Sequence, residues 1–395
     1  MPQPLAGVRI ADFSHVIAGP LATYFLCLLG AEVIKVEPET GDVLRNYTQR
    51  RDLRGMAEPF IGANAGKKSV VLDLKTPFGK EAARRLVASA DIMVENFRPG
   101  VIDRLGLGYE SLRKDNPSLI FCSISGYGQT GPMRDYPAID QIIQSVSGLM
   151  GLSGEADSGP MRIGFPIVDT YSALLAAFAI QAAYLQRERD PQRRGQHIDM
   201  SMLDASLVMM ASVVNPMFIS DTEPRRTGNR GFSLAPTADT FATRDLPITI
   251  GAVQQNQYER LCTAIGRPEL LVDPRFADAE ARMANDAALQ AELAQTFRTR
   301  GGLEWEELLS KAGVPAGAVR PVRDVLDLPQ LQDRGLKLSV EVPNKAVPRA
   351  TILNAGFRFA HDGPGTASPP PQLGEHTQEV LADLGLAMPV ADHRP

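Results

Sequence analysis

The chain has 395 residues, 22% of them charged, and a formal net charge of −5. An isoelectric point near 5.7 excludes the basic stripe of a nucleic-acid binder. The three cysteines, Cys27, Cys122 and Cys262, are scattered and form no C-x-x-C pair, so neither a disulfide framework nor a zinc site is indicated; a reducing cytoplasm and a protein without metal are expected, in two domains because 395 residues exceed what one core usually serves.

GVRIADF (7–13) reads as the first strand. Residues 13–31 carry no Asp, Glu, Lys or Arg and approach the length of a membrane span. Ser14, His15, Gly19, Pro20, Thr23 and Tyr24 interrupt that run and the strand-like EVIKVE (32–37) follows it, which makes it a buried loop and helix. Asp12 breaks the apolar stretch that a secretory signal needs, so neither a leader nor a membrane partner is expected. Three more strands follow, SVVLDL (69–74), DIMVENF (91–97) and SLIFCSIS (118–125). Between the first two of these lies a helix at 77–89, with Thr76 as cap, Pro77 at its first position and apolar residues at helical spacing. Strands separated by helices imply a parallel sheet covered on both faces, a Rossmann-like α/β core.

GYGQTG (126–131) satisfies the dinucleotide pattern after a strand, so an NAD-dependent oxidoreductase is one alternative. Its context disagrees, because Pro132 and a polar loop follow where a helix should open. Asp169 precedes the apolar run SALLAAFAIQAAYL, and the next charge is Arg187. Position alone makes Asp169 a helix N-cap, hydrogen-bonded and kept ionised by the helix dipole. The pattern changes near Asn215. The boundaries read as a large domain at 1–214, a polar linker at 215–237, a small α+β domain at 238–336 and a final segment at 337–395. Strands DTFAT and PITIGAV and helices at 255–265 and 286–300 belong to the small domain, which ends in the helix-like RDVLDLPQLQDRGL (323–336). KLSVEVP, a Pro- and Gly-rich connector at 363–374 and the helical GEHTQEVLADLGL (374–386) belong to the last segment.

ADFSHVIAGP (11–20), GAEVIKVEPETGD (30–42), LDLKTPFGK (72–80), VENFRPGVIDRLGLGYESL (94–112), SISGYGQTGP (123–132) and RRGQHIDMSMLDA (193–205), in this order, resemble the family III CoA-transferases, which include formyl-CoA transferase. The resemblance runs from Leu5 to about Leu386. It implies a nucleophilic aspartate ahead of a long helix, matched by Asp169. It implies CoA contacts at Ile17, Ala18, Leu72, Asp73, Lys75, Asn96, Phe97, Arg98 and Arg104. From sequence alone, Arg98 and Arg104 read as solvated charges on a surface helix; the resemblance is what makes them CoA contacts. Pro38 stands where some members place an adenine-packing arginine, and Ile17 where formyl-CoA transferases have glutamine, which argues against formyl or oxalyl substrates. His15, Gly251 and Gln254 are candidate substrate contacts, each with an ordinary loop reading beside it. The resemblance further implies that the C-terminal segment returns to the large domain and that two subunits interlock as a homodimer. CoA and acyl-CoA are then substrates, transferred to a carboxylic acid, with no tightly bound cofactor.

A 2-methylacyl-CoA racemase is the other alternative, since those enzymes share this fold. They place a histidine where this chain has Ile139 in Pro137-Ala138-Ile139-Asp140, and isoleucine cannot move a proton. Arg45, Arg51, Arg162 and Arg230 are candidate cations for the distal carboxylate of a diacid.

Overall fold

The structure, a computed structural model, describes residues 2–366 and 368–387. Residues 388–395, the end of the expected 337–395 segment, lie outside the described residues.

The chain opens with β1 (Arg9–Asp12), α1 (Ala18–Cys27), β2 (Glu32–Glu37), α2 (Glu58–Asn64), β3 (Lys68–Val71), α3 (Pro77–Ala88) and β4 (Ile92–Glu95). Short helices α4 (Val101–Arg104) and α5 (Tyr109–Asp115) lead into β5 (Ile120–Ser125). Then come α6 (Asp140–Val146), α7 (Leu149–Leu152), α8 (Ile167–Arg189), β6 (His197–Ser201), α9 (Met202–Met209) and α10 (Ala211–Ser220). The six strands form one sheet in the order β3-β2-β1-β4-β5-β6, and every neighbouring pair is parallel. Strands β4 and β5 are buried along their whole length, as expected of parallel strands covered on both faces. The start of α3 is as the sequence predicts: the Thr76 hydroxyl accepts from Gly79 N at 3.0 Å, and Pro77 opens the helix. Strand order reverses between β1 and β4, and in open α/β sheets the crevice beyond the carboxyl ends at that point is where ligands bind.

The backbone separates into two compact units, Met1–Met150, Arg162–Thr222 and Gln330–Pro395 in the first, Gly151–Met161 and Glu223–Pro329 in the second. In the second unit, β7 (Thr240–Phe241), β8 (Ile248–Ile250), α11 (Gln255–Ala264), α12 (Ala279–Ala284), α13 (Asp286–Phe297), α14 (Gly302–Lys311), β9 (Ala316–Ala318) and α15 (Val322–Leu326) follow in order. Its strands form an antiparallel sheet, β7-β8-β9. Its core centres on Trp305, whose indole N–H donates to Phe297 O at 2.8 Å while the ring packs edge-on to Phe297.

The first unit resumes at Gln330, inside α16 (Pro329–Asp333), and continues with the antiparallel hairpin β10 (Lys337–Glu341) and β11 (Arg349–Leu353), and α17 (Thr377–Asp383). This last segment covers the outer edge of β3. Ser69 N donates to His376 Nδ1 at 3.3 Å, His376 N donates to Ser69 O at 2.9 Å, and Val71 N donates to Thr377 Oγ1 at 3.0 Å. Val380 and Leu381 of α17 enter the core formed by β1, β2, β3 and α3.

Two elements differ from their sequence reading. The expected linker at 215–237 begins inside α10, which continues to Ser220 through Pro216. The expected helix at 323–336 is two short ones, α15 and α16, separated at Leu328-Pro329, where proline disfavours helical backbone before it.

Candidate active site

The turn between β1 and α1 crosses the carboxyl edge of the sheet under tight constraint. Val16 has φ 66°, in the left-handed region that β-branched residues rarely adopt. Fully buried ions hold the turn. Asp12 accepts from Ser14 N at 3.0 Å, Lys35 Nζ donates to Ser14 O at 2.8 Å, and Asp42 accepts from Val16 N at 3.2 Å. Lys35 also pairs with Asp42, and Lys67 with Asp12, each at 3.0 Å. Burial brings Lys67 down to about 8 even beside that carboxylate. A Cβ on Gly19 would lie 2.2 Å from the Ser14 Cβ, so glycine permits the close packing of helix on turn. From the end of β4, Asn96 spends its whole amide on this turn, accepting from His15 N and donating to His15 O, both at 2.8 Å.

Asp169 is the third residue of α8, and Pro166 holds the N-cap position. The expectation of a hydrogen-bonded, ionised cap is therefore corrected. Asp140, first residue of α6, takes that role, its Oδ2 accepting from Val168 N at 2.8 Å and from Asp169 N at 3.1 Å. Its Oδ1 accepts from the buried Gln144 at 2.6 Å, and Gln144 Oε1 in turn accepts from Ile163 N at 2.9 Å. Ile167 N and Thr170 N bond to Phe165 O and Pro166 O, so none of the first four N–H groups of α8 is free. The Asp169 carboxylate accepts no hydrogen bond among the described residues. Burial, then the neighbouring Asp140 charge, raises its pKa to about 7.

Asp169 opens into a cavity of about 510 Å³. Val16, Ile17 and Ala18 of the turn, Asn96, Phe97 and Arg98 beyond β4, and Arg134, Ile139, Asp140 and Arg162 share its lining. Ile17 and Ala18 are the N-cap and first residue of α1, where backbone N–H groups have no helical acceptor. A second cavity of about 290 Å³ is lined by His15, Pro38, Leu72, Asp73, Lys75 and Phe97, among others. The His15 ring thus belongs to the second cavity, edge-on to Phe97 at 5.4 Å, and Phe97 lines both.

Arg98 and Arg104 are exposed, and Arg104 ends the single-turn α4. The Arg104 and Arg134 guanidinium groups both lie beside Gly100, 3.2 Å and 3.7 Å from the place of a Cβ there. Arg134 went unread in the sequence, as did Asp140 in its capping role. Of the four candidate cations for a diacid, Arg45 is buried and bidentate to Glu37, and Arg230 pairs with Asp239 and Asp286. Arg51 does not line the cavity; Arg162 does. Gly251 and Gln254 lie in the second unit, where Gly251 N donates to Pro315 O and the exposed Gln254 caps α11.

The GYGQTG loop opens no helix. Gly128 N donates to Ser125 Oγ and Gln129 N to the Asp199 carboxylate, and the next helix begins at Asp140. A Cβ on Gly126 would meet the Ala138 Cβ at 2.2 Å, which ties this glycine to loop packing and leaves no case for a pyrophosphate cradle.

A sequence model of CoA-transferase family III matches residues 5–377. A succinate–glutarate CoA-transferase of Agrobacterium fabrum is 37% identical over 96% of this chain and 96% of its own length. An acetyl-CoA:oxalate CoA-transferase of Acetobacter aceti is 37% identical, over 94% and 93%. The crystal structure of a CAIB/BAIF family protein from Brucella suis superposes with a TM-score of 0.86 and 36% identity, covering 97% of this chain and all of that one.

Proposed function

The chain belongs to CoA-transferase family III, an enzyme moving CoA between an acyl-CoA and a carboxylate, and we propose that Asp169 carries the transfer as a covalent nucleophile. One observation carries this reading: Asp169 opens, with no hydrogen bond to its carboxylate among the described residues, into the cavity lined by Ile17, Ala18, Asn96, Phe97 and Arg98. Its Oδ attacks the donor thioester carbonyl, the C–S bond breaks, and CoA thiolate leaves an aspartyl–acyl anhydride. The thiolate attacks the aspartyl carbonyl, releasing the donor acid and forming an aspartyl-CoA thioester. The acceptor carboxylate attacks that thioester to give a second anhydride and thiolate, and the thiolate attacks the acceptor acyl carbon, freeing Asp169. Each intermediate keeps the thioester's activation, so no nucleotide hydrolysis is needed.

Because Asp140 occupies the donors at the start of α8, the oxyanions need another source. Ile17 N and Ala18 N at the entrance of α1 are suited to that task. CoA binds as a substrate, its nucleotide end toward Leu72, Asp73, Lys75, Arg98 and Arg104. A small dicarboxylate is the proposed acceptor class, with Arg162 beside the site and a succinate–glutarate transferase among the relatives in support. A homodimer is the proposed working form, and buried free thiols at Cys27, Cys122 and Cys262 suit a reducing cytoplasm.

Incubation with succinyl-CoA, followed by intact-mass measurement and hydroxylamine trapping, tests the nucleophile. Wild type should gain a CoA adduct that hydroxylamine removes, and Asp169→Ala should gain none, lose turnover and still bind CoA. Turnover near wild type in that variant would sink the reading.

A further inference from the structure

Asp140 lies on α6, yet both backbone donors it binds belong to the first turn of α8, next to the proposed nucleophile. A backbone cap needs only one oxygen and no charge, and serine or asparagine serves as well as aspartate. Here the second oxygen is engaged too, by a glutamine that is itself buried and tied to Ile163. The braced carboxylate therefore stands beside Asp169 as a fixed negative charge, and Asp169 has no cation or hydrogen bond of its own among the described residues.

We propose that Asp140 is a positioning residue for CoA transfer: it fixes the first turn of α8 and, by its charge, favours the covalently modified forms of Asp169 over the free carboxylate. The inference rests on Asp169 being the nucleophile. Two carboxylates held close repel when both are ionised. Acylation of Asp169, or its conversion to the CoA thioester, replaces one of the two charges with a neutral carbonyl group, so the repulsion raises the free enzyme and leaves the intermediates untouched. The same repulsion makes the Asp169 oxygen more basic and a better nucleophile once it is ionised. The raised pKa of Asp169 agrees in direction.

Other groups do not supply this effect. The charged and titratable side chains lining the cavity besides the two carboxylates are Arg98, Arg134, Arg162, Tyr47 and Tyr136, and the arginines act in the opposite sense. Tyr24 and Cys27 of α1, Cys122 of β5, His197 and Asp199 of β6 and Asp204 of α9 belong to elements packed on α8, and none lines the cavity.

The test is Asp140→Asn, which keeps an oxygen for the two N–H groups and removes the charge. Asp169 must be ionised to attack, so the wild-type rate should rise with pH through about 7. In the variant the acid limb of kcat/KM should move down by about one pH unit or more. At pH 8, where both proteins are ionised, the share of enzyme carrying the CoA adduct at equilibrium with succinyl-CoA should fall by about tenfold, the counterpart of that unit. Asp140→Ser, a shorter neutral cap, should shift the limb the same way and serves if the asparagine variant does not fold. An acid limb and adduct fraction that stay at wild-type values in a folded, active variant overturn the proposal and leave Asp140 a structural cap. A wild type that forms no adduct removes the nucleophile reading, and this inference with it.

Discussion

Arg162 stands in the Asp169 cavity with one guanidinium nitrogen bonded to the neighbouring Ile163 carbonyl at 3.0 Å, which leaves most of its donors for a ligand. A charge-assisted bond to a distal carboxylate contributes about 1.5–3 kcal/mol. Arg162→Ala should therefore raise KM for a diacid acceptor by roughly tenfold or more, and leave a monocarboxylic acceptor of similar length nearly unchanged. Steady-state kinetics with glutarate and butyrate as the pair decide it, and equal losses on both would remove Arg162 from acceptor recognition. The four arginines look alike in sequence, because an ion pair such as Arg45 with Glu37 joins neighbouring segments whose meeting only the fold determines. Asp169 stands out in the sequence as an isolated acid before a long apolar run, but position alone reads as a helix cap and only the family resemblance reads it as a nucleophile. The capping role of Asp140 is not legible there, since its partners lie 28 and 29 residues away on a different helix, a meeting that only the fold determines.

Helix α8 shows what periodicity reveals and what it leaves open. It is 23 residues long and apolar enough by composition to cross a membrane. One side, with Ala173, Ala176, Ala177, Ile180 and Ala183, is buried, and α1, α9 and β5 are among the elements packed on the helix. The other presents Leu174, Phe178 and Leu185, with Phe178 66% exposed. Small residues inside and large apolar ones outside are the reverse of a solvated helix, and a second subunit seated on that face would account for them. Phe178→Glu should then weaken dimerisation at least tenfold, given about 1.5–3 kcal/mol for burying such a side chain; light scattering across a dilution series reads the change, and an unaltered mass would place the interface elsewhere. Strands β1 to β5 were readable as apolar runs between helical ones. HIDMS of β6 was not, because its exposed, polar first half hides a sheet-edge strand, and AGA of β9 carries too little side chain to signal one. The polar composition from about Asn215 reads as a connector, yet α10 runs on through Pro216 to Ser220, as a proline within a helix can bend it without ending it.

At the scale of the molecule, the chain leaves its first unit and comes back. Residues Gly151–Met161 group with the second unit ahead of the main crossing at 223, and Arg226 NH groups donating to Gly151 O and Glu155 O tie that short excursion down. Nothing in its polar composition announces it. The return of the last segment, in contrast, closes the β3 edge with three hydrogen bonds to the β3 backbone, two of them accepted by the His376 and Thr377 side chains. A chain ending after Leu353 should expose that edge and the apolar surface under Val380 and Leu381, and should aggregate on expression. A soluble, monodisperse product of that length would refute the dependence. The same closure sets a clock on synthesis: Val71 waits for Thr377, made 306 residues later, and at about 5–20 residues per second the interval is roughly 15 to 60 s. Throughout it the nascent sheet carries an open strand edge in a crowded cell, so yield of active enzyme should depend less on the final stability of the fold than on how well that interval is shielded by chaperones.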